Sequence, residues 1–195
     1  MISFPDLTES GEDAAILTRF HDTLYRAEFP DAADRESLGD LLHTLRRKAG
    51  GDYGRDSRHI VLALLDGQVV AGAGAVFLAE PNVGLVEFLA GADDWSGRQL
   101  LGRIENLLRA DAQRLGPPLS AVLAELTLPA PGWARHDYRK LDFDYAPGKI
   151  MAAKPLRADW ADALPSITVR AVVRARTDAD QAFRSSIVDL VELGL

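Results

Sequence analysis

The chain has 195 residues, 47% of them hydrophobic and 26% charged, and its 22 basic and 29 acidic side chains leave a formal net charge of −7. That size suits one domain burying roughly 70% of its unfolded surface without a disulfide or metal staple. No cysteine is present, which excludes a disulfide scaffold, a zinc–thiolate centre, an iron–sulfur cluster and a cysteine nucleophile.

Reading along the chain, Ser10 with Asp13 makes a capping-box pattern ahead of Ile16, Leu17, Phe20 and Leu24, which recur at helical spacing. Phe29-Pro30-Asp31 breaks that helix. Ser37 with Asp40 repeats the pattern before Leu38, Leu41, Leu42 and Leu45, and the loop Gly50–Gly54 ends the second helix. Residues 59–65 and 68–80 read as strands joined by Asp66-Gly67, a strong hairpin signal. Pro81-Asn82 turns the chain into a third strand, 83–90, completing a meander. Leu100, Leu101, Ile104, Leu107, Leu108 and Leu115 then stripe a long helix that stops at Gly116-Pro117-Pro118.

A strand at 119–128, a Pro-rich loop at 129–132 and a short helix ending near Leu141 follow. Residues 143–145 and 150–154 read as edge strands, and a strand from Ile167 with a helix after Thr177 closes the chain. The order predicts a mixed α/β fold, one sheet with helices packed on it. One domain, 1–195, is expected, with 166–195 as a strand–helix extension of it.

The opening residues lack the basic-then-apolar pattern of a secretory signal. The longest apolar stretch, 69–79, is about half the roughly 20 residues a membrane helix requires. The expectation is a soluble, cytoplasmic protein without membrane contact. The acidic balance disfavours nucleic acid as a partner and is compatible with cationic ones such as amines. His21, His43, His59 and His136 lack ligand spacing, so no metal is expected. Walker, nucleophile-elbow, zinc-protease and dinucleotide-binding signatures are absent. Gly72 and Gly74, inside an apolar strand, read as points of close backbone approach rather than as a nucleotide loop.

Two segments carry chemistry. Glu87-Phe88-Leu89-Ala90, a turn, and Gly97-Arg98-Gln99 at the start of the long helix form a strand–turn–helix unit, which aims backbone N–H groups at an anion in the turn. Ala134, Tyr138, Lys140 and Phe143 follow some 35 to 45 residues later. Together these resemble the GNAT superfamily of N-acetyltransferases. In that family a Glu-x-Leu-x-Val strand enters an Arg/Gln-x-x-Gly-x-Gly/Ala turn holding the coenzyme A pyrophosphate, and a later helix carries Ala-x-x-x-Tyr-x-Lys-x-Gly-Phe. By order of elements the resemblance spans roughly residues 10 to 155. The stretch 24–30 with Arg35-Glu36 is similar to a bacterial subgroup.

The chain also departs from the pattern. The family's arginine falls on Ser96 and its later glycines fall on Gln99 and Leu101, so Gly97 alone is retained unless a longer turn recruits Gly102. Asp142 replaces the glycine of Gly-Phe. Ser96 with Gln99 reads equally as a capping box.

The resemblance implies a central, mixed but mostly antiparallel sheet flanked by helices. It also implies an N-acyltransferase moving an acetyl or acyl group from a coenzyme A thioester, or another phosphopantetheinyl thioester, to a small-molecule amine. Gly97, Arg98, Gln99, Gly102 and Arg103 would hold the donor, and N–H groups near Leu89 and Ala90 would polarise its carbonyl. An amine of pKa about 10.4 is about one part in a thousand neutral near pH 7.4, so a base is needed. Glu87, desolvated among Val, Leu and Phe, is the candidate, with Glu125 in reserve. Tyr138 resembles the family's tyrosine beside the donor sulfur, where a phenol can hydrogen-bond the departing thiolate. Trp95 and Trp133 are candidate cleft walls, and His136 and Tyr145 candidate acceptor contacts. The altered turn leaves open an acyl carrier protein as donor, and also a non-catalytic, ligand-binding version of the fold. Monomer and homodimer both remain open.

Overall fold

The computed structural model describes residues 1–92, 94–127, 137–141 and 149–156. The chain opens with a short strand, β1 (Ile2–Ser3), too brief to carry any sequence periodicity and so unforeseen. Helix α1 (Gly11–Phe20) starts where Ser10 accepts from the Asp13 N–H. It runs on through a π-helical turn (His21–Tyr25) into the single turn α2 (Arg26–Glu28). Helix α3 (Leu38–Gly50) carries the full capping box of Ser37 and Asp40.

Strands β2 (Ser57–Leu65), β3 (Gln68–Leu78) and β4 (Val83–Ala90) form the expected meander. Asp66 and Gly67, both with positive φ (50° and 81°), make the tight turn between the first two. Helix α4 (Asp94–Leu115) leads into β5 (Ala121–Thr127), followed by β6 (Arg139–Lys140) and β7 (Lys149–Pro155). The sheet order is β1-β2-β3-β4-β5-β7-β6, with β4 and β5 parallel and the other neighbours antiparallel. A mixed, mostly antiparallel sheet is therefore present, as expected.

Helices cover both faces. Strand alternation sends Ile60, Leu62, Phe88 and Ala90 to one side, where they meet Leu17 and Phe20 of α1 and Leu41 and Leu45 of α3. Val61, Ala63, Ala73, Ala75 and Val86 point to the other side, against Leu100, Leu101, Ile104 and Leu108 of α4. Each such large side chain, fully buried, contributes about 1.5–3 kcal/mol. Among the described residues no helix is long and apolar enough to cross a membrane.

Three expectations change. Residues 149–155 do not form an edge strand: they sit between β5 and β6, because the two-residue β6 caps that side of the sheet. Residues 137–141 are not the end of a helix, since Asp137 takes a positive φ of 67° and Arg139–Lys140 pair with Ala153 and Ala152. Ser96 does not cap α4, which already begins at Asp94 and carries Ser96 buried in its first turn. The 129–132 loop, the strand at 143–145, Trp133, His136, Tyr145 and the 166–195 extension lie outside the described residues.

Candidate active site

The site begins where two strands part. Strands β4 and β5 pair only from Val83 to Val86 against Ala121 to Ala124. Beyond that point β4 continues to Ala90 alongside β3, while β5 continues to Thr127 alongside β7. A gap opens in the middle of the sheet, bordered by backbone that the sheet does not pair across. Glu87 and Glu125 are the first residues past the parting on their respective strands.

Glu87 occupies a β-bulge. Gly74 pairs with Phe88 and Ala75 with Val86, which leaves Glu87 as the extra residue on β4. Such a bulge re-aims a side chain and increases local twist. Gly74 permits it: a Cβ there would collide with the Phe88 ring. The expected close approach at Gly72 and Gly74 is thus what the strand uses, Gly72 making room for Leu62 and Phe20.

The Glu87 carboxylate meets Arg58 of β2, Nε donating to Oε2 at 2.7 Å. The same guanidinium donates from Nη2 to Glu36 Oε2 at 2.7 Å and from Nη1 to Thr44 Oγ1 at 2.9 Å. About a quarter of the Glu87 side chain stays exposed (26%), against 14% for Arg58. Desolvation pushes the Glu87 carboxyl above the usual carboxylate range; the Arg58 charge opposes this, and the neighbouring Glu36 adds to it. Beside this cluster lies an aromatic wall, in which Tyr25 stands 4.8 Å from Phe88 and 5.2 Å from Phe29 between ring centroids. Burial pushes the Tyr25 phenol up to about 12.

The residues assigned to the donor divide by environment. Leu89 and Ala90 lie on the diverging stretch of β4 and point to opposite faces, toward α4 and α1 respectively. Gly97 is buried near Ala92 and Leu89, whereas Arg98, Gln99 and Arg103 are exposed on α4. A Cβ on Gly102 would meet nothing within 4 Å. Trp95 is exposed at the start of the same helix.

Tyr138 sits at 4% exposure in the core cluster that holds Leu100, Leu101, Ile104 and Ala152. Burial, with the negative charge of Glu105 as a lesser cause, pushes its phenol well above the ordinary value. Glu105 itself pairs with Lys154 at 2.8 Å.

Arg58, Glu36 and Thr44 escaped the sequence reading. An arginine near the head of a strand that is apolar from Ile60 onward was the available signal, but nothing in the spacing joins it to Glu87, 29 residues on. Among the described residues no cluster could hold a metal ion.

The sheet, with helices on both faces, has the fold of solved GNAT acetyltransferases. PaiA N-acetyltransferase from Thermoplasma acidophilum, in complex with coenzyme A, aligns with 80% of this chain and 99% of its own at TM-score 0.57 and 14% identity. Aminoglycoside 6'-acetyltransferase type Ii aligns with 80% of this chain and 97% of its own at TM-score 0.60 and 13% identity. An acetyltransferase from Thermus thermophilus aligns over 80% and 97% at TM-score 0.53 and 20% identity. No family model matches the sequence, and no curated protein matches it significantly.

Proposed function

We propose that the protein is a GNAT-type N-acyltransferase that moves an acetyl or acyl group from a coenzyme A thioester to the amine of a small molecule. The observation that carries this reading is the parting of β4 and β5 with Glu87 in the bulge at its origin. The donor's pantetheine arm would lie in the gap, using the backbone that the sheet leaves unpaired. N–H groups at Leu89 and Ala90 would polarise the thioester carbonyl. Gly97, Arg98, Gln99, Gly102 and Arg103, near the N-terminal end of α4, would meet the phosphates.

The neutral amine nitrogen attacks the carbonyl carbon, the C–N bond forms, and the C–S bond breaks to release thiolate. Glu87 takes the proton that the attacking nitrogen sheds as the C–N bond forms, directly or through water, and its raised pKa suits that task. Tyr138 donates a hydrogen bond to the departing sulfur. Its phenol, held well above 10, stabilises a thiolate of pKa about 8.5 without giving up the proton. The carboxylates of Glu87 and Glu36 against the one charge of Arg58 leave the acceptor side net negative, which favours a cationic acceptor.

A second reading concerns the donor. Of the donor turn's glycines Gly97 is retained, and it is buried. A phosphopantetheinyl arm on an acyl carrier protein, with one phosphodiester in place of a pyrophosphate, tolerates the loss of the others.

Thermal-shift titration with coenzyme A and acetyl-coenzyme A tests both. Ligand at about 100 times its dissociation constant adds about 2.7 kcal/mol. A clear rise in Tm supports the free nucleotide donor. No rise at millimolar ligand, with a rise on adding an acyl-loaded carrier protein, supports the carrier. No response to either leaves a non-catalytic fold.

A further inference from the structure

The three-way contact around Arg58 is a costly arrangement. All three guanidinium nitrogens are engaged, on Glu87, Glu36 and Thr44. The pairing spans β2, β4, α3 and the segment ahead of α3. Glu36 is itself fixed: its backbone N–H donates to the Tyr25 hydroxyl at 3.3 Å, and the next residue, Ser37, is the N-cap of α3. Largely buried ion pairs seldom stabilise a fold better than well-packed apolar residues would, because desolvation consumes most of the Coulombic gain. Stability alone is therefore a weak reason for an arginine here. Its location supplies another, since the arginine holds the acidic side chain that the β4 bulge presents where the sheet opens.

We propose that Arg58 and Glu36 are positioning residues for the transfer step, turning Oε2 of Glu87 inward and leaving its other oxygen to face the acceptor. Their opposite charges also bracket the pH range in which that oxygen takes a proton. This rests on the reading of Glu87 as the base. The charged and titratable groups facing the pair are Arg58 from β2, Glu36 from the segment before α3, and Tyr25 from the helical turn; Tyr53 faces Arg58 from the loop after α3. Arg58→Gln removes the positive charge and Glu36→Gln a negative one, so the two variants must displace the Glu87 titration in opposite directions.

The test uses the full chain with carbon-13 in the glutamate carboxyls, the Glu87 signal being assigned by its loss in Glu87→Gln. Arg58→Gln is expected to move the Glu87 midpoint to higher pH by about one unit or more, and Glu36→Gln to move it lower. In parallel, kcat/KM is measured against pH with acetyl-coenzyme A and benzylamine. The acid limb should follow the same two directions, so the rate at a fixed pH on that limb falls about tenfold in Arg58→Gln. The amine's own ionisation is common to all variants and cancels. Glu36→Gln, at a less buried position, keeps the test decisive if Arg58→Gln does not fold.

Opposite displacements of the carboxyl signal, followed by the acid limb of kcat/KM, support the proposal. An unmoved signal, or two displacements of the same sign, overturns it. Displacement of the signal with a stationary acid limb keeps the tuning and removes Glu87 as the base.

Discussion

His59 Nε2 lies 2.8 Å from Asp111 Oδ2, across the interface between β2 and α4. The other ring nitrogen, Nδ1, stands 2.9 Å from Asp6 Oδ2, and Ser57 Oγ donates to Asp111 as well. Ser57, His59 and Asp6 thus mimic the members of a nucleophilic triad. Asp111 occupies the ring nitrogen that a serine would need, however, so the imidazole has no free nitrogen with which to take the serine's proton. The cluster is structural: with Lys48 on Asp6 and Arg114 on Asp111, it ties the N-terminal segment to α3, β2 and α4.

That geometry fixes a pH dependence of stability. Burial disfavours the charged ring, yet the hydrogen bonds and charges of Asp111 and Asp6 outweigh it and hold the His59 pKa above its ordinary value. The stabilisation is fully present below about pH 6.5, where an unfolded histidine titrates, and is lost as pH rises through the raised folded value. Asp6 and Asp111 behave oppositely. Burial would raise them, but His59 and the adjacent cations hold both below the usual range. Their contribution is present above about pH 4 and lost as pH falls through the lowered values. Urea denaturation at about pH 6 and pH 9 should show a loss of stability in the wild type and a smaller loss in His59→Gln. An equal loss in both would remove His59 from this account.

Gly74 and Phe88 give the second prediction. Adding a methyl group at Gly74 drives it into the Phe88 ring, so Gly74→Ala should cost about 1–3 kcal/mol. Phe88→Leu in the same chain should restore part of that loss, measured by denaturant unfolding. Stability unchanged in Gly74→Ala would mean that the bulge does not depend on this close approach.

Gly102 separates a ligand role from a structural one. With nothing within 4 Å of a Cβ there, alanine is sterically free and improves a helix interior by up to about 1 kcal/mol. Gly102→Ala should therefore raise Tm while weakening coenzyme A binding in calorimetry. A rise in Tm with unchanged affinity would take Gly102 out of the donor site.

Tyr138→Phe keeps the ring in its cluster and removes the hydroxyl. Loss of one hydrogen-bond donor to developing negative charge costs about 100-fold in kcat. Steady-state turnover is the measurement, and an unaltered kcat would leave Tyr138 as packing alone.

Local signals were legible and long-range ones were not. Asp66-Gly67 announced its hairpin, the Ser37 box its helix, and strand β4 matched its apolar run at both ends, because each is decided by neighbours in sequence. Ser96-Gly97-Arg98-Gln99 misled, since a good capping pattern lost to burial of Ser96 inside the first turn of α4. The bulge that makes Glu87 distinctive depends on Gly74, 13 residues away, and its partner Arg58 comes from a third strand. No periodicity encodes either contact.

The parting of β4 and β5 also divides the sheet mechanically. Strands β1 to β4 form one antiparallel leaf and β5, β7 and β6 another, joined edge to edge by the four residue pairs between Val83–Val86 and Ala121–Ala124. Helix α4 lies mainly across β2 and β3, yet it also reaches the second leaf, where Glu105 pairs with Lys154 and where Tyr138 and Ala152 share its core cluster. A change in the width of the gap would therefore strain the helix as well as the seam, so α4 acts as a splint that sets the spacing of the two leaves.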